Sequence, residues 1–230
     1  MVIEVRHRPA YALAVVKLEA GETVVGEAGA LVSRDTHVTM ETSAGNPQQG
    51  LVAGLFTGLK RMFAGESFFQ NRYTAGGRAG EVTFAPTLIG DVDTHELRGG
   101  TLLMQSTAYL CSPPSVEIDA KWGGARSFFA GEGFILIRAK GTGPVAFNAF
   151  GAMKLVEVDG EFLVDTGHVV AFEDTLKYTV RRFGDGWKAF IFGGEGLVCK
   201  FSGKGKLWIQ TRNPVEFGKS IGPSLPTRES

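Results

Sequence analysis

Histidine, cysteine and long apolar runs are scarce in this 230-residue chain, and each scarcity removes a class of function. The four histidines, His7, His37, His95 and His168, are scattered, with no His-x-His pair and no Cys-x-x-Cys. A transition-metal site needs several such ligands at compatible spacing, so no metal and no cofactor are expected. Only Cys111 and Cys199 are present, which in a chain without a secretory leader reads as two free, buried thiols. Neither lies beside a feature that would depress its pKa, and there is no Gly-x-Ser-x-Gly elbow. Gly193-Gly194-Glu195-Gly196 lacks the strand-to-helix setting of a phosphate loop and reads as a hairpin turn. The chain is therefore not expected to be an enzyme.

No stretch approaches the roughly 18 apolar residues that span a bilayer. The start, Met1-Val2-Ile3-Glu4-Val5-Arg6-His7, has no signal-peptide core, so the expected location is the cytoplasm. Charge of one sign is missing too. Lys+Arg and Asp+Glu balance at 24 each, which leaves no global field to attract nucleic acid or an anionic membrane. The exception is local: Arg181 to Lys219 holds eight basic residues against three acidic.

Glycine is plentiful instead, 32 against nine prolines, the mark of many tight turns between short strands. The organising feature is a repeat. Phe129-Ala130-Gly131-Glu132-Gly133-Phe134 has copies at Phe63-Ala64-Gly65-Glu66-Ser67-Phe68-Phe69 and Phe192-Gly193-Gly194-Glu195-Gly196-Leu197, which begin 66 and 63 residues away. Each copy is predicted to run through a glycine turn into a second strand, at Gly80 to Phe84, Gly143 to Phe147 and Gly205 to Ile209. Each lobe also opens with a turn and a strand: Gly21-Glu22-Thr23-Val24-Val25, Gly160-Glu161-Phe162-Leu163-Val164 and, more loosely, Gly100-Thr101-Leu102-Leu103-Met104. Repetition on this scale makes one supersecondary unit the basis of the whole fold. The prediction is a single all-β domain over 1–217, built of three repeats at about 1–81, 82–152 and 153–217 in a pseudo-threefold arrangement, with a loose tail over 218–230.

Strands are predicted at Tyr11 to Leu18, Thr23 to Val32, Thr101 to Leu110 and Ser115 to Ala120, and the Asp159-Gly160 and Asp185-Gly186 dipeptides as turns between strands. The first lobe carries an insert that the others lack. Asn46 suits an N-cap, Pro47 the first helical position, and Lys60 and Arg61 the negative end of the dipole, so Asn46 to Met62 reads as a short helix. Gly50, Gly54 and Gly58 leave one side bare for close approach, beside Phe56 and Leu59. At about 24 Å it is shorter than the roughly 30 Å hydrocarbon core, so it packs on the sheet, a second subunit, a protein partner or a membrane surface without crossing.

Two constellations invite a functional reading. Glu66, Glu132 and Glu195 follow the same glycine in all three lobes and would meet around one ligand if a threefold axis relates them. The plainer reading is a turn cap or an ion pair, with Arg72 and Arg138 six residues on, although Phe201 stands at that offset in the third lobe. Lys200, Phe201, Lys204, Lys206 and Trp208 mix cations with aromatics as single-stranded RNA sites do. An alternating strand with aromatics inward and lysines outward has the same pattern, so nucleic acid is not the expected partner.

Gly54-Leu55-Phe56-Thr57-Gly58-Leu59-Lys60-Arg61-Met62-Phe63-Ala64-Gly65-Glu66-Ser67-Phe68-Phe69 resembles the hallmark of the altered-inheritance-of-mitochondria family, in its prokaryotic branch, and the resemblance extends from Tyr11 to about Asn213. It implies a TRAP-like β fold related to the double-stranded β-helix, with three subdomains placed as subunits are in the ring of the tryptophan-responsive RNA-binding attenuator protein. For mitochondrial members it implies a non-enzymatic part in organising the inner membrane. No agreed functional residues transfer with it, and ligand sites do not transfer by fold alone. The expected function is a non-catalytic scaffold or binding protein that self-associates. The alternatives are a ligand-responsive RNA-binding protein and a cupin-like metalloenzyme.

Overall fold

Strands dominate because β-branched and aromatic residues recur between glycine breaks. The computed structural model describes residues 1–43, 70–119, 135–182 and 197–225. In the first third lie β1 (Val2–Arg6), β2 (Leu13–Leu18), β3 (Thr23–Glu27), β4 (Leu31–Arg34), β5 (Val38–Ser43), β6 (Gln70–Ala75) and β7 (Gly80–Phe84). Next come β8 (Val92–Gln105), a 3-10 turn (Ser106–Ala108), β9 (Tyr109–Ser112), β10 (Val116–Asp119) and β11 (Leu136–Asn148). The same order then recurs as β12 (Met153–Asp165), a 3-10 turn (Thr166–His168), β13 (Val169–Glu173), β14 (Lys177–Arg182) and β15 (Leu197–Gln210). One short α-helix, α1 (Pro214–Ile221), follows. The all-β expectation holds, and both sheets are open: one runs β1-β2-β7-β4, the other β12-β15-β13-β8-β11-β9-β3-β6-β5.

Several predicted turns are bends inside continuous strands. Asp159-Gly160 lies within β12, where Gly160 pairs with Gly203 of β15 and both take positive φ, 108° and 121°. Facing glycines let two paired strands bend together without breaking the ladder. Gly143-Pro144 likewise lies inside β11, and Gly205 inside β15. Only the first lobe has a true break, between β6 and β7. Thr23 to Val32, predicted as one strand, divides at Gly29 into β3 and β4, and Thr101 to Leu110 is interrupted by the Ser106–Ala108 turn. Gly160 has open space around its α-carbon, so the expected cost of Gly160→Ala is that of the dihedral alone, about 1–2 kcal/mol by urea midpoint.

Buried side chains fall into three clusters that follow the chain but interlock. Leu110, Cys111 and Ala146 join the first-third cluster around Val16, Tyr73 and Phe84, and Val170, Ala171 and Trp208 join the second around Leu102, Tyr109 and Phe147. Leu103 and Leu136 complete the third, around Phe172, Phe201 and Leu207. The pairings between thirds explain this. β9 lies on β3 through Val25↔Ser112 and Gly26↔Cys111, and β13 lies on β8 through Ala171↔Met104, Phe172↔Leu103 and Glu173↔Leu102.

The helix α1 crosses the boundary at which a loose tail was expected. Asn213 caps it by accepting from Val215 N at 2.9 Å, Pro214 occupies its first turn, and Phe217 meets Phe150 edge to face at 5.1 Å.

Candidate functional site

The three repeated glutamates, Glu66, Glu132 and Glu195, lie outside the described residues, as do Gly50, Gly54, Phe56, Gly58 and Leu59 of the predicted helical insert. The strands that flank them are described. Each repeat copy leaves and rejoins an antiparallel pair, β5 with β6, β10 with β11 and β14 with β15, which end at Ser43↔Gln70, Asp119↔Arg138 and Arg182↔Leu197. Arg138, the cation six residues from Glu132, is in an ion pair with Asp119 at 3.0 Å.

The residues that carry catalytic chemistry sit apart and are occupied structurally. Burial pushes the Cys199 thiol up to about 12 and the Cys111 thiol higher still, so neither is an available thiolate near neutral pH. His37 meets Ala79 O at 3.0 Å, His168 Nδ1 meets Gln210 O at 2.7 Å, and His95 faces Glu173 at 3.7 Å, with burial the leading influence that lowers its pKa. Among the described residues no three His, Cys, Asp or Glu side chains stand close enough to hold a metal ion.

Two lysines of the basic stretch in the last third pair with carboxylates on the neighbouring strand. Lys200 pairs with Glu161 at 2.5 Å and Lys204 with Asp159 at 3.2 Å, across β12 and β15. Phe201 and Trp208 are buried, and the Trp208 indole donates to Asp93 at 3.1 Å. Aromatics inward and lysines outward is the alternation of a sheet strand, and it leaves no exposed ring on this stretch to stack a base.

Among the described residues β1, β4, β5, β10, β12 and β14 are paired on one side only, and two of these edges, β4 and β12, bear on the junctions between thirds. β4 pairs only with β7 and β12 only with β15 among the described residues, so each has a row of backbone groups facing outward. These edges match the junctions already made inside the chain. Leu163 on β12 stands where Val24 and Leu103 stand in the earlier thirds; those two are buried and Leu163 is 50% exposed. Val32 on β4 lies at the register shift between Leu31 and Ser33, as Leu110 does between Tyr109 and Cys111 and Val170 between Val169 and Ala171; Leu110 and Val170 are buried, whereas Val32 is 55% exposed. The side chains that seal the first two junctions thus recur at both ends of the chain with nothing described over them. Sequence periodicity marked these positions as strand but carried no signal of which strand would lack a neighbour.

The described residues thus form an all-β fold with open sheets. Residues 3–212 match the model of the family described as mitochondrial biogenesis AIM24, and the chain belongs to that family. It is similar to an uncharacterised protein of Streptococcus pyogenes, 28% identical over 222 residues that cover 94% of this chain and 88% of the relative. It is also similar to a protein of Streptococcus pyogenes solved by X-ray crystallography, with a TM-score of 0.76 at 25% identity, covering 97% of this chain and 99% of the other. Among the described residues no helix is long and apolar enough to cross a membrane.

Proposed function

We propose that this protein is a non-catalytic assembly module whose three segments are tandem repeats of one TRAP-like unit and which self-associates head to tail, the β4 edge of one copy pairing with the β12 edge of the next. The observation that supports it is the pair of exposed edges at Val32 and Leu163, which repeat the side chains and strand roles of the two junctions inside the chain. A long, unprotected strand edge is a template for another chain. β12 provides 13 residues of it, without a proline. Because the two edges differ, the contact is heterologous and generates a ring if the rotation closes or a filament if it does not. The segment over 46–62 would then be free to carry a protein or membrane-surface partner. The RNA-binding reading is weaker, since Lys200 and Lys204 are paired and Phe201 and Trp208 buried.

The test blocks one edge at a time. Native mass spectrometry and sedimentation should show the wild-type protein above monomer mass and both Val32→Asp and Leu163→Asp as monomers. An equimolar mixture of the two variants should yield a dimer and nothing larger, because each retains the edge that the other lacks. A monomeric wild type, or an assembly indifferent to both substitutions, would overturn the head-to-tail contact.

A further inference from the structure

Four strand ends bring polar side chains to one cavity of about 260 Å³, Glu27 at the end of β3, Gln105 at the end of β8, Asn148 at the end of β11 and Gln210 at the end of β15, and the side chains of Thr87 and Thr107 line it too. Phe150 and Pro214 close part of its wall. The carboxamides are deeply buried, at 4% exposure for Gln105, 8% for Asn148 and 6% for Gln210. Buried carboxamides are retained when every donor and acceptor is used, so the unused ones show what the cavity offers.

The carboxamide donors turn to backbone carbonyls, with both N–H groups of Asn148 and one each of Gln105 and Gln210 used in this way. Asn148 Nδ2 donates to Thr107 O at 3.2 Å and Ala108 O at 3.0 Å, Gln210 Nε2 donates to Gly167 O at 2.8 Å, and Gln105 Nε2 reaches Thr166 O at 3.5 Å. Those carbonyl partners fix which end of each amide is nitrogen. Gln210 Oε1 accepts from Phe150 N at 2.9 Å and is satisfied. Among the described residues, nothing donates to Gln105 Oε1, to Asn148 Oδ1 or to the Glu27 carboxylate, and none of these oxygens is among the atoms sealed away without a partner. The cavity therefore presents three unpartnered acceptor groups, one of them ionisable, beside the second N–H of Gln105 and of Gln210 and the hydroxyls of Thr87 and Thr107.

We propose that this cavity is a binding site for a small organic cation rich in N–H donors, an alkyl-guanidinium or alkyl-ammonium, with Glu27 as its counter-ion and Gln105 and Asn148 as neutral acceptors. An anion would be repelled by the Glu27 carboxylate, and a neutral amide would leave that carboxylate unpaired. Guanidinium carries up to five donors and no acceptor, which suits the unpartnered oxygens of Glu27, Gln105 and Asn148. The volume lies just under the ~300–1,000 Å³ of ordinary ligand pockets and so restricts the guest to a few heavy atoms beyond the cationic head. The carboxyl group is also held ready: burial alone raises Glu27 to about 7, and no described cation faces it. This site is independent of the β4 and β12 edges, so its test stands whatever the oligomer.

The test uses the full-length protein with methylguanidine and 1,4-diaminobutane as probes and N-methylurea as the neutral match to the first. Saturation-transfer NMR and thermal shift should show both cations binding and raising Tm with concentration, with N-methylurea at least about tenfold weaker. Glu27→Gln, which keeps the shape of the protonated side chain, should lose cation binding by at least about tenfold and stay folded. Gln105→Leu should weaken methylguanidine more than diaminobutane, since the guanidinium needs more acceptors. Equal binding of N-methylurea and methylguanidine, unchanged cation affinity in Glu27→Gln, or no binding by either cation would each overturn the assignment.

Discussion

Phe172→Ala is expected to cost about 3–5 kcal/mol of folding stability, the toll of removing a fully buried aromatic ring. The residue stands at a junction. Its strand is hydrogen-bonded to β15 on one side, Phe172↔Leu207, and to β8 on the other, Phe172↔Leu103. Its ring meets Phe201 edge to face at 4.9 Å and Tyr178 at 5.1 Å, so truncation empties the centre of the last core cluster and loosens the seam to the middle third. Urea unfolding should show the loss as a lower midpoint at unchanged slope. A loss under about 1 kcal/mol would mean that the seam can collapse around the cavity, and that the thirds are joined by backbone pairing more than by side-chain packing.

Glu27→Gln should make the protein less sensitive to pH, in a window set by one group. The ordinary carboxyl value of 4.5 is raised to about 7 in the folded state by burial, with no other cause. Below pH 4.5 the carboxyl is protonated folded and unfolded, and it imposes no penalty. Between 4.5 and about 7 the folded state holds its proton more tightly than the unfolded chain, so stability falls as pH rises. Above about 7 the full cost of a buried charge is present, on the order of 2–3 kcal/mol. The variant should thus match wild type near pH 4 and exceed it by roughly that amount at pH 8, by urea midpoints at both. Parallel profiles would show that Glu27 ionises freely in the fold and would remove its claim to a desolvated cavity.

The two positions reflect different depths of sequence information. Phe172 falls in Val169 to Glu173, an apolar run whose place in a strand follows from composition. Glu27, Gln105, Asn148 and Gln210 carry no such mark. Each is a lone polar residue at the end of an apolar run, and their common cavity exists only because four strands finish at the same level. The turns were misread for a related reason. Gly160 has the positive φ that a hairpin turn would ask of it, but Gly203 opposite has the same freedom, and two paired glycines make a bend where one alone would make a turn. The signal for α1 is present in Asn213 and Pro214; the polar sequence after it obscures a helix held by the Phe150–Phe217 contact and by Val215 against the third core cluster.

By itself the sequence determined the β-rich character and the family, because these depend on residue types and spacings that act locally. The tertiary structure decided which strands have neighbours on both sides and which on one, and where the buried amides aim their oxygens. A strand's period-two pattern states which face is buried and is silent about the edge. Edge partners come from long-range pairing, so the exposed rows of β4 and β12, and the cavity between strand ends, appear only once the chain is folded.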